Sequence, residues 1–395
     1  MHGTPIARRL SSYYFWYYAS AGALMPFLGL FLIARGCTPA QVGVITAVLA
    51  TMRIATPYAW GALGDRSSHR MRLIQRALLA AIVALASLWL APSFGWMIVS
   101  VVLYGLFIAG TVSQFEVVTF RHLAERSGDY PRIRLWASAG FVVAVLVMGK
   151  VFDVVPVSTV PLWAAALFLW AWIGGRTIPE PPEFAHNAVQ GRMLDTLRQR
   201  PVQALLLMAL LWQISCAPFS SFFSIYVEEH GYQRSLTGFL WAVAVGAEVV
   251  LLRFLPDVQA RFGLRRMMLW SLGVLSARWV LQVLCIDHLP LLALVQTLQA
   301  ISVATVYVVS TALLQEMFPP RLQGRGQAIF FGVSYGVGNA GGSLVTGLLW
   351  AQWPHEWIWF AASAIGVLSW FVAWRWLHPT SRAAAPLVAT AEGSA

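Results

Sequence analysis

Three charged residues lie near the middle of long apolar runs of the sequence, at Arg53, Glu248 and Arg278. If these runs cross a membrane, an arginine at the centre of a span costs roughly 2.5 to 3.5 kcal/mol on insertion scales, so it needs a compensating partner. A guanidinium stays charged, and its partner is a carboxylate, a backbone carbonyl or an anionic ligand in a wet cavity. A carboxylate can load and release a proton when its surroundings alternate between two environments. These residue types therefore predict solute binding or proton coupling within a membrane.

Glu248 is the acid that lies nearest the middle of an apolar run, and two interpretations of it are open. It is a coupling or substrate-site acid, or it forms a static pair with Arg53 or Arg278 that fixes helix packing. None of the eight histidines falls within a predicted span. A histidine proton relay inside the membrane is therefore not expected.

Aromatic residues form a second group of candidates. The run YYFWYY (13–18) begins the first apolar run, where an interfacial aromatic belt normally lies, although its deeper members Tyr17 and Tyr18 can also line a pocket. Four others lie within predicted spans, where each either stacks on a ring of a solute or belongs to the core: Phe27, Phe141, Trp241 and Trp279.

The composition identifies the class of protein. Of the 395 residues, 58% are hydrophobic and 11% are charged, and the mean hydropathy is +0.67. Soluble domains carry about 25% charged residues, so a membrane protein is expected. The net charge of +11 does not indicate nucleic-acid binding, because the basic residues fall between apolar runs, as the positive-inside rule predicts. The three cysteines lack metal-ligand spacing, and unpaired thiols or a disulfide between Cys37 and Cys285 are both open.

The apolar runs set the number of elements. A helix needs about 20 residues to cross an apolar core of about 30 Å, and the sequence offers twelve runs of that length. They lie roughly at 11–33, 40–62, 72–91, 93–117, 133–153, 158–178, 201–227, 236–256, 267–286, 289–316, 327–350 and 357–377. We therefore predict an all-α membrane protein with twelve transmembrane helices. The first run is longer than the apolar part of a signal peptide, so it is expected to be retained as the first span.

A charged, proline-containing segment divides the chain six plus six. The prolines of PEPPEF stop the sixth helix, and the later half of the segment has the amphipathic spacing of a helix at the membrane surface. The predicted domains are an N-terminal bundle at 11–178, a cytoplasmic linker at 179–200, a C-terminal bundle at 201–377 and a disordered tail at 378–395. Most basic residues fall in the loops on one side, whereas Arg35 and Arg234 fall in loops on the other. This asymmetry predicts a bacterial inner-membrane protein with both termini in the cytoplasm.

The two halves resemble each other in sequence. With one constant offset, Gly36 matches Gly231, and the pattern Gly43-x-x-x-Ala-Val matches Gly238-x-x-x-Ala-Val. Internal repeats on this scale are typical of transporters, with the substrate site between the halves near the middle of the membrane. The same offset carries Arg53 onto Glu248, so the two are predicted to form a charge pair across the axis of the repeat.

Several separated motifs resemble the major facilitator superfamily. The loop after the second run, GALGDRSSHR, is similar to the G-x-x-x-D-R-x-x-x-R motif of that superfamily. The matching residues are Gly61, Asp65, Arg66 and Arg70. DYPRIRLWASAGF (129–141) resembles a signature of the phenylpropionate permease and oligosaccharide or nucleoside proton symporter group, and GYxxxxxGFLWxxxxxAE (231–248) resembles the phenylpropionate permease-like members. The resemblance implies two pseudo-symmetric six-helix bundles that rock around a central cavity.

The resemblance also implies roles for individual residues. In the related lactose-type symporters, an acid on the fourth helix pairs with an arginine on the fifth, and these roles fall on Glu116 and Arg134, although both residues can also belong to a solvated cytoplasmic edge. The aromatic residue that stacks on substrate in those symporters corresponds to Phe141. Relatives often carry a histidine or glutamate midway along the tenth helix, where this chain has Gln296 and Gln299. The lactose-type proton mechanism is therefore not expected to transfer unchanged.

The charged loop after the second run has two interpretations. Asp65, Arg66 and Arg70 lie beside a helix end, where an acid and two bases can bridge neighbouring helices in one conformation and release them in another. Such a latch biases a two-state equilibrium without touching substrate. The plainer interpretation is that these are loop charges that set the topology of the chain.

The expected function is secondary active transport by alternating access, as proton-coupled uptake of a small organic solute without a cofactor. Intramembrane arginines near aromatic rings suit an aromatic carboxylate, as the phenylpropionate-like resemblance implies. Alternatives are sugar or nucleoside proton symport, drug or metabolite export and, from another class, a non-transporting membrane sensor, although the linker and tail leave no room for a signalling domain. No nucleophile, zinc or haem constellation predicts an enzyme. The expected partners are a small-molecule substrate and the lipid bilayer, without nucleic acid, and the protein is expected to act as a monomer.

Overall fold

Helices form the regular structure of the residues that the computed structural model describes, which are 5–66, 69–123, 128–181, 193–319 and 322–377. No strand occurs in these residues, so the predicted all-α class is confirmed. The helices are α1 (Pro5–Leu24), α2 (Leu28–Ala34), α3 (Pro39–Arg66), α4 (Arg70–Leu90), α5 (Phe94–Ile108), α6 (Thr111–Leu123), α7 (Tyr130–Val154), α8 (Val160–Gly175), α9 (Met193–Leu197), α10 (Arg200–Glu229), α11 (Arg234–Leu284), α12 (Leu289–Gln299), α13 (Val306–Met317), α14 (Gln323–Phe331), α15 (Ala340–Trp350) and α16 (His355–Trp376).

Each predicted run falls on helix, but the bounds of the helices differ from those of the runs. The eighth and ninth runs lie on two helices that together carry the label α11 and meet at a kink at Gly263, where φ of 73° and ψ of 158° are not helical. Glycine reaches this backbone conformation without a steric penalty, so the chain turns there between the first and the second arm of α11. The tenth and eleventh runs each contain a π-helical segment, at Ala300–Thr305 and Gly332–Asn339.

The helices support a multi-pass membrane protein. Within the described residues, nine helical spans are long and apolar enough to cross a membrane, and ten are if the bent pair α1 and α2 counts as one span. Some of these spans comprise two labelled helices, as Phe94–Leu123 comprises α5 and α6 and Leu289–Met317 comprises α12 and α13. The helix α3 carries a shorter apolar part, Pro39–Ile54, and α11 is one of the nine although it contains two predicted runs. That all twelve runs cross the membrane stays a prediction.

The helices group into two compact units. As far as its residues are described, unit 1 comprises Met1–Asn187, Cys216–Ala242 and Tyr335–Ile358, and unit 2 comprises Ala188–Ser215, Val243–Ser334 and Trp359–Ala395. Unit 1 therefore contains segments from the second half of the chain, which contribute one end each of α10, α11 and the α14–α15 segment. The division into bundles at 11–178 and 201–377 stays a prediction.

The internal repeat is visible in the backbone of unit 1. Gly36 and Gly231 have φ of 80° and 81°, and each ends a helix in the same way. The N–H of Cys37 bonds to Leu32 O at 3.0 Å, and the N–H of Tyr232 bonds to Val227 O at 3.4 Å, which is the Schellman pattern of a helix end. The glycines that the sequence aligns thus have the same structural role.

Two close helix crossings within unit 1 use the next glycines of the repeat. A Cβ on Gly43 of α3 would lie 2.6 Å from Ser343 O and 3.0 Å from the Cα of Gly347 on α15. A Cβ on Gly238 of α11 would meet the carbonyl oxygen of Val145 on α7 and lie 3.3 Å from the Cα of Gly149. Real Cβ atoms do not approach backbone so closely, so both crossings need glycine.

Several predictions concern residues outside the described part of the chain. The amphipathic linker is described only at its two ends, and the tail from 378 onwards lies outside the described residues, as do the side chains of Asp65 and Arg66. All three cysteines are free thiols, so the open alternative of a disulfide between Cys37 and Cys285 is wrong.

Candidate functional site

A buried polar cluster lies in unit 2 around Arg278, which is fully buried. Gln296 and Gln299 are three residues apart on α12 and therefore share one helix face. The guanidinium donates to both: Nη1 to Gln299 Oε1, and Nη2 to Gln296 Oε1 at 2.9 Å. Its Cζ also lies 4.6 Å from the centre of the Trp279 ring. The two glutamines that replace the acids or histidines of relatives thus supply acceptors for a buried cation.

Glu248 completes this cluster. It is half-buried on the first arm of α11, its side chain hydrogen-bonds with Gln299, and it interacts electrostatically with Arg278 on the second arm. We call Glu248, Arg278, Gln296 and Gln299 the Arg278 cluster. Of the partners weighed from the sequence, Arg278 is the one that shares a unit with Glu248. The predicted charge pair between Arg53 and Glu248 stays a prediction.

Removal of the Arg278 guanidinium is expected to destabilise the protein strongly. In Arg278→Met, both glutamine oxygens lose their donor and Glu248 loses its cation, and breaking a buried pair in this way costs about 3 to 5 kcal/mol. Thermal unfolding in detergent should show a clearly lower midpoint than the wild type and than Arg76→Met, which changes an exposed arginine of α4. Adding Glu248→Gln should restore part of the loss. An unchanged midpoint for Arg278→Met would mean that the cluster does not stabilise the fold.

A second polar cluster lies in unit 1 and is formed by side chains of α1, α6 and α7. The Arg134 Nε lies 3.8 Å from Glu116 Oε1, and Arg134 Nη2 donates to the Tyr18 hydroxyl at 2.7 Å. The guanidinium lies over the rings of Tyr18 and Tyr14, at 4.5 and 5.6 Å from their centres. The Tyr130 hydroxyl donates to Glu116 at 3.4 Å. The pair that the family resemblance implies is therefore brought together, half-buried among tyrosines.

The tyrosines of the YYFWYY run do not form an interfacial belt. Tyr13, Tyr14 and Tyr17 are buried, with 1%, 1% and 6% of their surface exposed. Their hydroxyls and rings face α6: the Tyr17 hydroxyl lies 2.9 Å from Thr111 Oγ1, and the Tyr13 ring lies 3.8 Å from that of Phe115. The belt interpretation is thus wrong for these three residues, because they are buried in the protein, where threonines of α6 hydrogen-bond the hydroxyls of Tyr14 and Tyr17.

Arg53 lies in a different environment from the other two intramembrane arginines. Its side chain is exposed on α3, and Nη2 lies 4.0 Å from the thioether sulfur of Met25. It borders a cavity of about 70 Å³ within unit 1, next to Tyr104 of α5. Among the described residues of its unit, no carboxylate lies within salt-bridge distance of Arg53. The cation is therefore open to a ligand.

The aromatic candidates separate into core and partly accessible residues. Phe27 and Trp279 are fully buried, against Phe152 at 5.0 Å and Trp359 at 5.6 Å respectively, which favours the core interpretation for both. In unit 1, by contrast, the half-buried Trp241 ring has further aromatic rings around it and leaves a face accessible. Its neighbours are Phe141 at 6.5 Å, Phe219 at 4.8 Å and Phe223 at 6.2 Å.

The charged motif after α3 is partly described. Arg70 is buried and its Nη1 donates to Gln114 Oε1 on α6 at 2.6 Å, while Gln114 Nε2 donates to Trp60 O on α3 at 3.1 Å. Arg70 and Gln114 together thus connect α4, α6 and α3, and the latch stays a prediction. A Cβ on Gly61 would meet nothing within 4 Å, so this glycine is not required by packing in this conformation.

Three residues of these sites were not singled out from the sequence. Tyr130 lies within the signature DYPRIRLWASAGF (129–141), so a sequence signal for it was available. Gln114 and Tyr104 gave none, because single polar residues in apolar helices carry no spacing pattern. Their roles depend on which residues neighbouring helices bring beside them.

Comparison with known proteins identifies the family of the chain. The profile of the MFS_1 like family matches residues 7–362. The maltose permease of Geobacillus stearothermophilus is 26% identical over 343 residues, which cover 86% of this chain and 87% of that protein. The probable 3-phenylpropionic acid transporter of Escherichia coli strain K12 is 25% identical over 279 residues, covering 69% and 73% of the two chains.

Solved structures share the fold at lower identity. The crystal structure of the nucleoside transporter NupG superposes with a TM-score of 0.82 at 14% identity, covering 95% of this chain and all of that chain. A bacterial homologue of the lysosomal transporter Spinster, in an inward-facing conformation, gives 0.71 at 15% identity over 95% and 98% of the chains. With the family profile covering most of its length, the chain belongs to the MFS_1 like family and is a secondary transporter of the major facilitator superfamily.

Proposed function

We propose that the protein couples uptake of a small organic solute to proton entry, and that Glu248 carries the proton. The observation that supports this role is its place in the Arg278 cluster: a half-buried carboxyl in a membrane helix, held by Gln299 and facing one buried cation. A carboxyl in that position gains or loses its charge when its surroundings change between two conformations. Coupling of this kind needs no histidine and no cofactor, only a proton gradient.

The proposed solute is an aromatic carboxylate. Two arginines that are not fully buried lie near an aromatic ring, Arg53 near Tyr104 and Arg134 over Tyr18. Guanidinium groups bind carboxylates with strong, directional hydrogen bonds, and rings stack on rings. A relative's name, the probable 3-phenylpropionic acid transporter, supports the same class of solute.

A sugar is the second candidate, and one observation favours it. Glu116 and Arg134 together offer acceptors and donors beside tyrosine rings, which suits the hydroxyls and the apolar face of a sugar. The maltose permease is also among the relatives. The protein is further proposed to act as a monomer in a bacterial inner membrane, with both termini in the cytoplasm.

Uptake into proteoliposomes under an imposed pH gradient tests the proposal. Radiolabelled aromatic acids, sugars and nucleosides are supplied in turn, and protein-free liposomes correct for acids that cross the bilayer unaided in their neutral form. We expect saturable uptake of an aromatic acid that rises with the inward proton gradient. Uptake of a sugar alone would select the second candidate, and gradient-driven loss of preloaded solute would indicate export. No flux of any solute would contradict a transport role.

A further inference from the structure

We propose that the cavity beside Arg53 is a carboxylate subsite, in which Arg53 and Tyr104 bind the carboxylate of an organic acid and apolar walls enclose its alkyl spacer. The inference rests on the proposed function, because it locates one end of the proposed solute. It also predicts which acids are accepted, and it can be tested without transport.

Two hydrogen-bond donors border the same cavity. The Arg53 guanidinium is exposed, and the acceptor beside it is the Met25 sulfur at 4.0 Å, which is a weak acceptor. Tyr104 is 93% buried, at 7% exposed, yet its hydroxyl has no hydrogen-bond partner among the described residues. Arg53 is close enough to interact electrostatically with this hydroxyl. Two donors without strong acceptors and one positive charge together fit an anion with two oxygens.

The rest of the cavity is apolar. Its walls are formed by α1, α2, α3, α5 and the turn that follows α5, through Leu24, Met25, Leu28, Leu49, Gly105, Ile108 and Ala109. Such a surface gains from contact with methylene groups and offers nothing to sugar hydroxyls or to a second charge. The site therefore fits a monocarboxylate with an alkyl group next to the carboxylate.

The cavity volume limits the ligand further. It measures about 70 Å³, whereas a cavity that holds benzene measures about 150 Å³. This volume holds a carboxylate with two or three carbons, and a phenyl ring would extend beyond it through the open side of the cavity. The subsite thus prefers acids in which an alkyl spacer separates the carboxylate from the ring, and it disfavours acids with the carboxylate directly on the ring.

The other two arginines already have strong acceptors. Arg278 is fully buried and donates to two glutamine oxygens, and Arg134 donates to Tyr18 and lies beside Glu116. To bind either arginine, a solute carboxylate would have to lose its water and displace the acceptors that the arginine already has. Among the described residues of its unit, the acceptor beside Arg53 is a thioether, so a carboxylate binds there without displacing a stronger partner.

Equilibrium binding of 3-phenylpropionate to the purified full-length protein in detergent tests the subsite. For the wild type we expect propionate to compete, and benzoate and the neutral 3-phenylpropionamide not to compete. Arg53→Gln should weaken binding on the order of tenfold or more, because a charge-assisted bond is lost. Tyr104→Phe should weaken it about threefold to tenfold, because one neutral hydrogen bond is lost. Arg76→Gln, an exposed arginine of α4, is the matched control and should bind as the wild type does.

The outcomes separate the subsite from the transport proposal. If Arg53→Gln and Tyr104→Phe bind 3-phenylpropionate as tightly as the wild type, the subsite is wrong while aromatic-acid transport stands. If the wild type transports no aromatic acid but binds propionate in a way that both variants weaken, the subsite stands and the proposed solute is wrong. Competition by benzoate as strong as by propionate, or no carboxylate binding at all, overturns the subsite. Thermal unfolding of each unliganded variant, with Arg53→Lys alongside, shows whether weak binding reflects a loss of fold.

Discussion

Glu248→Gln is expected to abolish accumulation of solute under a pH gradient while leaving exchange of solute across the membrane intact. Glutamine has nearly the same shape as glutamate and can keep a hydrogen bond to Gln299, so the Arg278 cluster is retained. It cannot change its charge, so it cannot carry a proton. Exchange of labelled for unlabelled solute moves no net proton and needs only alternating access.

The size of the effect follows from the driving force. A gradient of about one pH unit coupled to one proton can sustain roughly tenfold accumulation, since a factor of ten corresponds to about 1.4 kcal/mol. The wild type should approach this ratio after correction with protein-free liposomes, and Glu248→Gln should stay near one. Exchange rates of the two should agree within about twofold, the scale of effects that leave the barrier essentially unchanged.

The matched control is Glu356→Gln, which changes an acid in the first turn of α16 rather than in the middle of a span. It should accumulate solute as the wild type does. If Glu248→Gln accumulates solute normally, another group carries the proton and the coupling role of Glu248 is wrong. If exchange is lost together with accumulation, Glu248 acts in binding or in helix packing instead.

The fold was largely predictable from the sequence because its main signal is local. Hydropathy over about 20 residues locates a membrane helix without knowledge of any partner, and every predicted run lies on helix. The eighth and ninth runs were predicted as separate spans, and non-helical backbone at Gly263 separates the two arms of α11. The exact position of this break was not predicted, because Pro256, which suggests a stop, lies within the first arm. The repeat was predicted well, since Gly36 and Gly231 adopt the same left-handed conformation.

The candidate site was only partly predictable. The family resemblance predicted the pair of Glu116 and Arg134. Arg53, Glu248 and Arg278 were selected because charges in the middle of apolar runs are rare. The partners of these charges were mostly missed. A tyrosine such as Tyr104 is ordinary in sequence, and it becomes relevant only because α5 places it beside the cavity of Arg53.

The face that a residue presents was the hardest feature to predict. Six consecutive aromatic residues cover every side of a helix, so the YYFWYY run fits a belt and a core equally well in sequence. The polar partners on α6 decide the matter for Tyr14 and Tyr17, at Thr119 and Thr111. Only tertiary packing contains that information.

Gly238→Val is expected to reduce transport by about tenfold or more while leaving the protein folded. The crossing of α11 with α7 is close because both Gly238 and Gly149 lack a side chain, and a Cβ on Gly238 would meet a backbone oxygen that cannot move aside. Overpacking of this kind costs about 1 to 3 kcal/mol. If the crossing closes in one state of the transport cycle and opens in the other, that cost lowers the population of the closed state by about 5- to 150-fold.

The crossing is also held by polar contacts that depend on the same approach. Arg234 Nη1 donates to Phe152 O at 2.9 Å, and the N–H of Ser235 donates to Asp153 Oδ1 at 3.1 Å. These bonds join the start of α11 to the end of α7, so separating the helices at Gly238 weakens them too. The variant is therefore expected to lose steps that need the closed crossing, whereas solute binding to the open state is retained.

A control variant and the equivalent glycine of the internal repeat test whether the defect is due to the helix crossing. Gly273→Val lies on the second arm of α11, where an added Cβ would meet nothing within 4 Å, and it should transport as the wild type does. Gly43→Val should reproduce the defect of Gly238→Val, because its Cβ would lie 2.6 Å from Ser343 O at the equivalent crossing of α3 with α15. Transport by each variant is measured in proteoliposomes. Retained binding of solute in detergent shows that the variant is folded. Normal transport by both variants would mean that neither crossing has to close during the cycle, whereas a defect in only one would mean that the two halves of the repeat contribute unequally to closure.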